Sequence, residues 1–113
     1  MTIVNKSGEF TAVEMFKMLN GKYPKISRNV GVTFNCVGFL ETSPDSDDEQ
    51  PVLYIAADNG EIYATTSDTV RKTFNAMRMS FGDPTKENPI NNVVILEGES
   101  RNGRKFIDLD IIG

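Results

Sequence analysis

Hydrophobic and polar positions fall into short periodic runs separated by clusters of glycine, proline, asparagine and aspartate. From Asn29 to Leu40 the apolar residues alternate: Val30, Val32 and Phe34 share one phase, and after Cys36 the phase changes to Val37 and Phe39. Alternation predicts a strand. The phase slip beside Gly31 and Gly38 predicts a bulge or sharp bend within it. One long strand needs such a bend if it is to serve both sides of a small barrel. Val52–Ala56 and Glu61–Thr65 are β-rich runs flanking Asp58-Asn59-Gly60, residues that tolerate positive φ, and they predict a tight hairpin. Ile90–Gly98 and Lys105–Ile112 predict a second hairpin about Asn102-Gly103. In its last run Ile107, Leu109 and Ile111 alternate with Phe106, Asp108 and Asp110.

Two segments carry helical spacing. Thr11 with Glu14 three residues on is a capping box, and it predicts a helix over 12–19. Met15, Phe16, Met18 and Leu19 would form its apolar side, with Gly21 as the stop. Pro24 then keeps the chain extended. The second helix starts at Thr66, Ser67 or Asp68, each a competent N-cap. Val70, Phe74 and Met77 follow at helical spacing with Phe81 closing the stripe, while Arg71, Lys72, Thr73 and Arg78 lie mostly off it. Gly82-Asp83-Pro84 ends the helix. Residues 1–10 have little pattern and fit either a flexible lead or a short added strand.

The resulting order predicts a mainly β fold: a five-stranded OB-like Greek-key barrel with a helix between its third and fourth strands and an extra N-terminal helix. A five-stranded α+β sheet with two packed helices is the other arrangement the order allows. The whole chain, 1–113, reads as a single domain, since 113 residues suffice for one core and hardly for two. Apolar residues make up 39%, with seven Phe and three Tyr, enough to fill that core rather than leave the chain disordered.

No apolar run approaches the roughly 20 residues that span a bilayer, and the N-terminus lacks a secretory layout. The single cysteine, Cys36, cannot form an internal disulfide. These features predict a cytoplasmic protein. The net charge of −4 argues against a nucleic-acid partner until its distribution is considered. Glu41, Asp45, Asp47, Asp48 and Glu49 all fall within 41–51, a segment without a base that reads as a mobile, solvated loop, and the rest of the chain is nearly balanced.

The chain contains no histidine, which removes the commonest general base and zinc ligand. One cysteine makes no thiolate zinc site, and glycine-rich phosphate loops are missing. The acidic loop lacks the central glycine and terminal glutamate of a calcium loop. Cys36 reads as a small buried apolar residue. The expectation is a non-enzymatic protein without cofactor or metal.

Binding chemistry is better represented. On an OB barrel the loop between strands four and five flanks the ligand face, and here that turn carries Arg101, Arg104 and Lys105. Such cations neutralise phosphates, and Arg also stacks on bases. Phe34, Tyr54, Tyr63 and Phe106 lie on strands near that face. Each aromatic–base stack is worth about 1–3 kcal/mol and reads no sequence. The plainer reading is that charged turns are simply exposed and that half or more of the aromatics fill the barrel. Tyr54 and Tyr63 are favoured over Phe34 for the surface, because a buried phenol needs a partner.

Three stretches, T-A-V-E-M-F-K-M at 11–18, D-N-G-E-I-Y-A-T-T-S-D-T-V-R-K-T-F at 58–74 and G-E-S-R-N-G-R-K-F-I-D-L at 98–109, resemble the small single-stranded-DNA-binding proteins of bacteriophages. The acidic loop and the Gly82–Pro89 connection lie outside the resemblance. It implies sequence-independent binding of displaced strands in phage DNA replication or recombination, in a host cytoplasm, often with self-association into a homo-oligomer. The chain ends in Ile111-Ile112-Gly113, so recruitment of replication enzymes through an acidic tail is not expected. The leading expectation is capture of single-stranded DNA by Arg101, Arg104 and Lys105, aided by Arg71 and Lys72, with stacking on Tyr54, Tyr63 and Phe106. The alternative is a small acidic phage inhibitor or interaction protein whose 41–51 loop engages a host protein. A purely structural or oligomerisation module is the third option.

Overall fold

The computed structural model describes residues 2–44, 46, 47 and 49–113; Asp45 and Asp48 of the acidic segment lie outside the described residues. The elements are β1 (Thr2–Ser7), α1 (Ala12–Leu19), a 3-10 turn (Ile26–Asn29), β2 (Thr33–Ser43), β3 (Leu53–Ala57), β4 (Ile62–Thr65), α2 (Asp68–Phe81), β5 (Ile90–Glu99) and β6 (Lys105–Ile111). The fold is mainly β. One antiparallel sheet runs in the order β4-β3-β2-β5-β6, and β1 joins it by pairing with β2. The N-terminal residues are thus an added strand, making six rather than five.

The anticipated slip in the long strand is present. Against β3 the register shifts between Cys36 and Gly38, and against β5 it shifts between Phe34 and Cys36. Phe34 and Cys36 point into the same core as Phe39, so the apolar phase moves from even to odd positions across the bulge. β2 also changes partners there. Its first part, Thr33–Cys36, pairs with β5, whereas Phe39–Ser43 pairs with β1. Opposite the bulge, Asn92 of β5 takes a positive φ of 59°, a conformation asparagine tolerates.

Two expected boundaries move. Asn29 belongs to the 3-10 turn, where its side chain donates to the Lys25 carbonyl, and the strand starts at Thr33. At the other end Glu41, Thr42 and Ser43 remain in β2, paired with β1, so the connecting segment starts at Pro44 rather than Glu41.

Both helices start as their sequences dictate. Thr11 Oγ1 accepts from the Glu14 N–H at 3.1 Å while the Glu14 carboxylate accepts from the Thr11 N–H at 2.8 Å, a complete capping box. Ser67 caps α2 by accepting from Val70 N–H. Val70, Phe74 and Met77 are buried, but Phe81 is 52% exposed, because it is the last residue before Gly82 turns the chain at φ +86°. On α1 only Met15 and Met18 turn inward, and Phe16 and Leu19 are exposed. An eight-residue helix lying on one surface buries only one narrow stripe.

The sheet carries an apolar layer on each face. On the α2 side Phe34, Cys36, Phe39, Leu53, Ile55, Tyr63, Val93, Ile95 and Leu109 pack with Val70, Phe74 and Met77. On the other side Met18 of α1 packs with Leu40, Tyr54, Ala56 and Ile62, flanked by Ile3, Phe10, Met15 and Tyr23. β3 is therefore buried on both faces throughout its length.

β4 and β6 end the strand path without pairing to each other, yet both line one groove, with Ala64 and Thr65 on one side and Phe106 and Ile107 on the other. The sheet curls until its two edges approach. The β4 edge is occupied instead by the segment before the 3-10 turn: Ala64 N–H donates to Pro24 O at 2.9 Å, and Lys25 bridges to Ala64 in parallel.

The passage from β1 to α1 needs a close backbone crossing. Gly8 has φ +82°, and a Cβ there would lie 2.6 Å from Val37 O and 2.9 Å from Gly38 Cα. A Cβ on Gly38 would in turn meet Ser7 O at 2.9 Å. Gly8→Ala therefore meets both a steric clash and an unfavourable backbone conformation. It should destabilise the protein by about 1–3 kcal/mol and lower the melting temperature by roughly 5–15 °C, measurable by thermal circular dichroism.

Candidate nucleic-acid interface

The β5–β6 hairpin brings four of the anticipated residues together. Gly103, at φ +76°, closes the turn by donating its N–H to Ser100 O at 2.9 Å, and Ser100 N–H donates to Arg104 O at 2.8 Å. Arg101, Arg104 and Lys105 are exposed on or beside this turn. Lys105 Nζ lies 3.7 Å from Glu97 Oε1, a mostly exposed pair of little energetic weight. Glu99 stands opposite Lys105 across the ladder, so the turn is a mixed but cation-rich surface.

Phe106 follows directly and is 38% exposed. Its cross-strand partner is Gly98. A Cβ on Gly98 would lie 2.5 Å from Phe106 Cζ and 2.8 Å from Cε2, so the end of the ring rests where a side chain would otherwise stand. The glycine is what permits this ring position.

The tyrosines do not reach the surface. Tyr54 and Tyr63 are each 2% exposed, which overturns the expectation that they face a ligand. Nor do they share a face. Tyr63 pairs with Ile55 and packs on the α2 side, its ring 5.2 Å from that of Phe34. Tyr54 points to the opposite side, under α1. Its hydroxyl does have the partner a buried phenol requires, because it donates to the Met18 carbonyl in the last turn of α1. Burial pushes the Tyr54 phenol above its ordinary pKa. The outer face of β3 and β4 is thus covered by the chain's own N-terminal region.

Arg71 is likewise committed elsewhere. Nη2 donates to Pro51 O at 2.9 Å and Nη1 to Asp68 Oδ1 at 3.1 Å. Its Nε is 3.1 Å from Glu41 Oε2, an ion pair lying off the direction of the N–H. This side chain ties the end of β2, the segment before β3 and the start of α2. Lys72 is exposed on α2 but belongs neither to the turn nor to the groove.

Beside Phe106 lies the groove between the two sheet edges, with a volume of about 440 Å³. Tyr23, Lys25 and Ser27 come to it from the segment around the 3-10 turn, and Thr66 and Ser67 from the start of α2. None of these was singled out from the sequence as a site residue, Thr66 and Ser67 having been read only as helix caps. A signal was present: residues 15–40 contain Lys17, Lys22, Lys25 and Arg28 and no acid.

Among the described residues, no three carboxylate or thiol groups converge as metal ligands, and no helix is long and apolar enough to cross a membrane. Cys36 is fully buried, its thiol pushed up to about 12 chiefly by desolvation. Comparison of the chain with protein-family models, with curated proteins and with solved structures finds no match.

Two outcomes follow from this geometry. Arg71→Ala removes a charge-assisted clamp and should cost about 1–3 kcal/mol of stability in a denaturant titration, with oligonucleotide affinity of the folded protein nearly unchanged. Cys36, buried and held as the thiol, should react with a thiol-specific dye only at the rate at which the chain opens. Fast labelling of the native protein would contradict the burial.

Proposed function

We propose that this protein binds single-stranded DNA without regard to sequence, acting as a non-enzymatic coat for exposed strands. The observation that carries the reading is the exposed turn that presents Arg101, Arg104 and Lys105 next to the partly exposed ring of Phe106. Cations that follow a phosphate backbone, joined to an aromatic surface for bases, are the two parts that sequence-independent single-strand recognition requires. The strand neighbours support an OB-type scaffold. The pairs β2–β3, β3–β4, β2–β5 and β5–β6, with α2 between β4 and β5, fit the order expected of an open Greek-key barrel. On that scaffold the β5–β6 turn is one of the loops that flank a bound strand.

The electrostatic part sets the test. Each phosphate neutralised by a side chain releases condensed counterions, so affinity falls as salt rises. Fluorescence anisotropy with a labelled oligo-dT should show binding at low salt that weakens steeply between about 50 and 200 mM salt. Replacing Arg101 and Arg104 together by alanine should lower the log–log salt slope by about 1.4, two single-strand phosphate contacts. Binding that is absent at low salt sinks the proposal, and an unchanged slope moves the phosphate contacts away from this turn.

A further inference from the structure

The groove between β4 and β6 has features that the cationic turn alone does not explain. Its volume of about 440 Å³ is within the range of small-ligand sites. It opens where two strand edges approach without pairing, and Phe106 lines one wall. Gly98 leaves room for the end of that ring, so its position is set before any ligand arrives. Tyr23 supplies a second, partly buried aromatic, and Lys25 supplies a cation on the wall opposite Phe106's strand. Arg104 stands two residues before Phe106 in the exposed turn, so a second cation lies next to the β6 wall, whereas Lys105 alternates to the opposite face of the strand.

The polar lining is of a permissive kind. Ser67 Oγ already accepts from Val70 N–H and Thr65 Oγ1 from Ser67 N–H, leaving each hydroxyl proton to be donated. Ser27 and Thr66 hydroxyls can donate or accept. Hydroxyls that turn to suit their partner do not distinguish one base edge from another.

We infer that this groove receives a nucleobase and its sugar from the bound single strand, with the base against Phe106 beside Tyr23 and the flanking phosphates near Lys25 on one side and Arg104 on the other. The inference rests on the proposed single-strand binding and deepens it: the turn holds phosphates, and the groove holds a base. Stacking is non-directional in sequence, so the site takes any base.

The test uses the full chain and two labelled oligonucleotides of about 16 nucleotides, one oligo-dT and one abasic, which have the same phosphates and differ only in bases. The wild-type protein should bind oligo-dT at least about tenfold more tightly than the abasic strand. Phe106→Leu, which keeps an apolar side chain and removes the ring, should erase most of that preference while leaving abasic affinity unchanged. The chain has no tryptophan, and Tyr54 and Tyr63 are buried, so quenching of tyrosine emission by oligo-dT should come from Tyr23 and disappear in Tyr23→Phe. Equal binding of the two strands by the wild type, or a preference that survives in folded Phe106→Leu, overturns the groove and leaves DNA binding standing. No binding of either strand overturns both. Should Phe106→Leu fail to fold, amide shifts of the wild-type protein on adding oligo-dT decide: shifts at Thr65–Ser67 and Phe106–Ile107 support the groove, and shifts confined to residues 101–105 refute it.

Discussion

The rest of the structure depends on one backbone crossing, where the turn after β1 passes over the bulge in β2. Gly8 and the Val37–Gly38 peptide approach so closely that neither glycine has room for a side chain. Two consequences follow from that contact. The bulge lets a single strand pair with β5 along one part and β1 along the next, and it moves Phe39 into the core that Phe34 and Cys36 began. The crossing also sends the chain across to the far face of the sheet, where Met15 and Met18 of α1 cover Tyr54, Ala56 and Ile62. A sheet with water on one side becomes a sheet buried on both.

That second layer closes one face of the sheet to solvent. The outer face of β3 and β4 lies beneath α1. Tyr54 is held there by its hydrogen bond to the Met18 carbonyl and by an edge contact with Tyr23 at 6.4 Å. Displacing the helix would strand a buried phenol and uncover apolar surface, both costly. What stays open is the sheet's perimeter, where Phe106 joins the β5–β6 turn to the β4–β6 groove.

Much of the fold was legible in the sequence because it is written locally. The capping box at Thr11 and Glu14, the Asp58-Asn59-Gly60 and Asn102-Gly103 turns, and the stripe of Val70, Phe74 and Met77 each depend on neighbours in the chain. The bulge was legible too, since a change of apolar phase leaves a trace in one strand. The second layer was not. Val52, Tyr54 and Ala56 alternate with Leu53, Ile55 and Ala57, and nothing in that text shows that both sets are covered. For the same reason Tyr54 and Tyr63 passed as surface residues, although the register puts them on opposite faces. Arg71 read as a free cation because its partners, Glu41 and the Pro51 carbonyl, are distant in sequence. Of the candidate site, the turn cations and Phe106 were visible as a contiguous string; the opposite wall comes from residues 23–27 and depends on a long-range contact.

That opposite wall also accounts for the groove itself. A barrel closes when its first and last edges exchange backbone hydrogen bonds, and an unpaired edge must otherwise be covered. Here Pro24 O accepts from Ala64 N–H, and Lys25 bridges alongside, so the β4 edge is occupied at Ala64 by a segment other than β6. The same short segment that keeps the two edges apart brings Tyr23 and Lys25 to the space between them. Pro24 suits the role, since its ring holds φ near the extended range and its missing N–H leaves only the carbonyl to offer. The N-terminal region therefore does two things with one path: it covers the sheet face on which a strand could have lain, and it props open the seam beside the cations. Pairing of β4 with β6 along this seam would remove the space that the segment around Pro24 leaves between them.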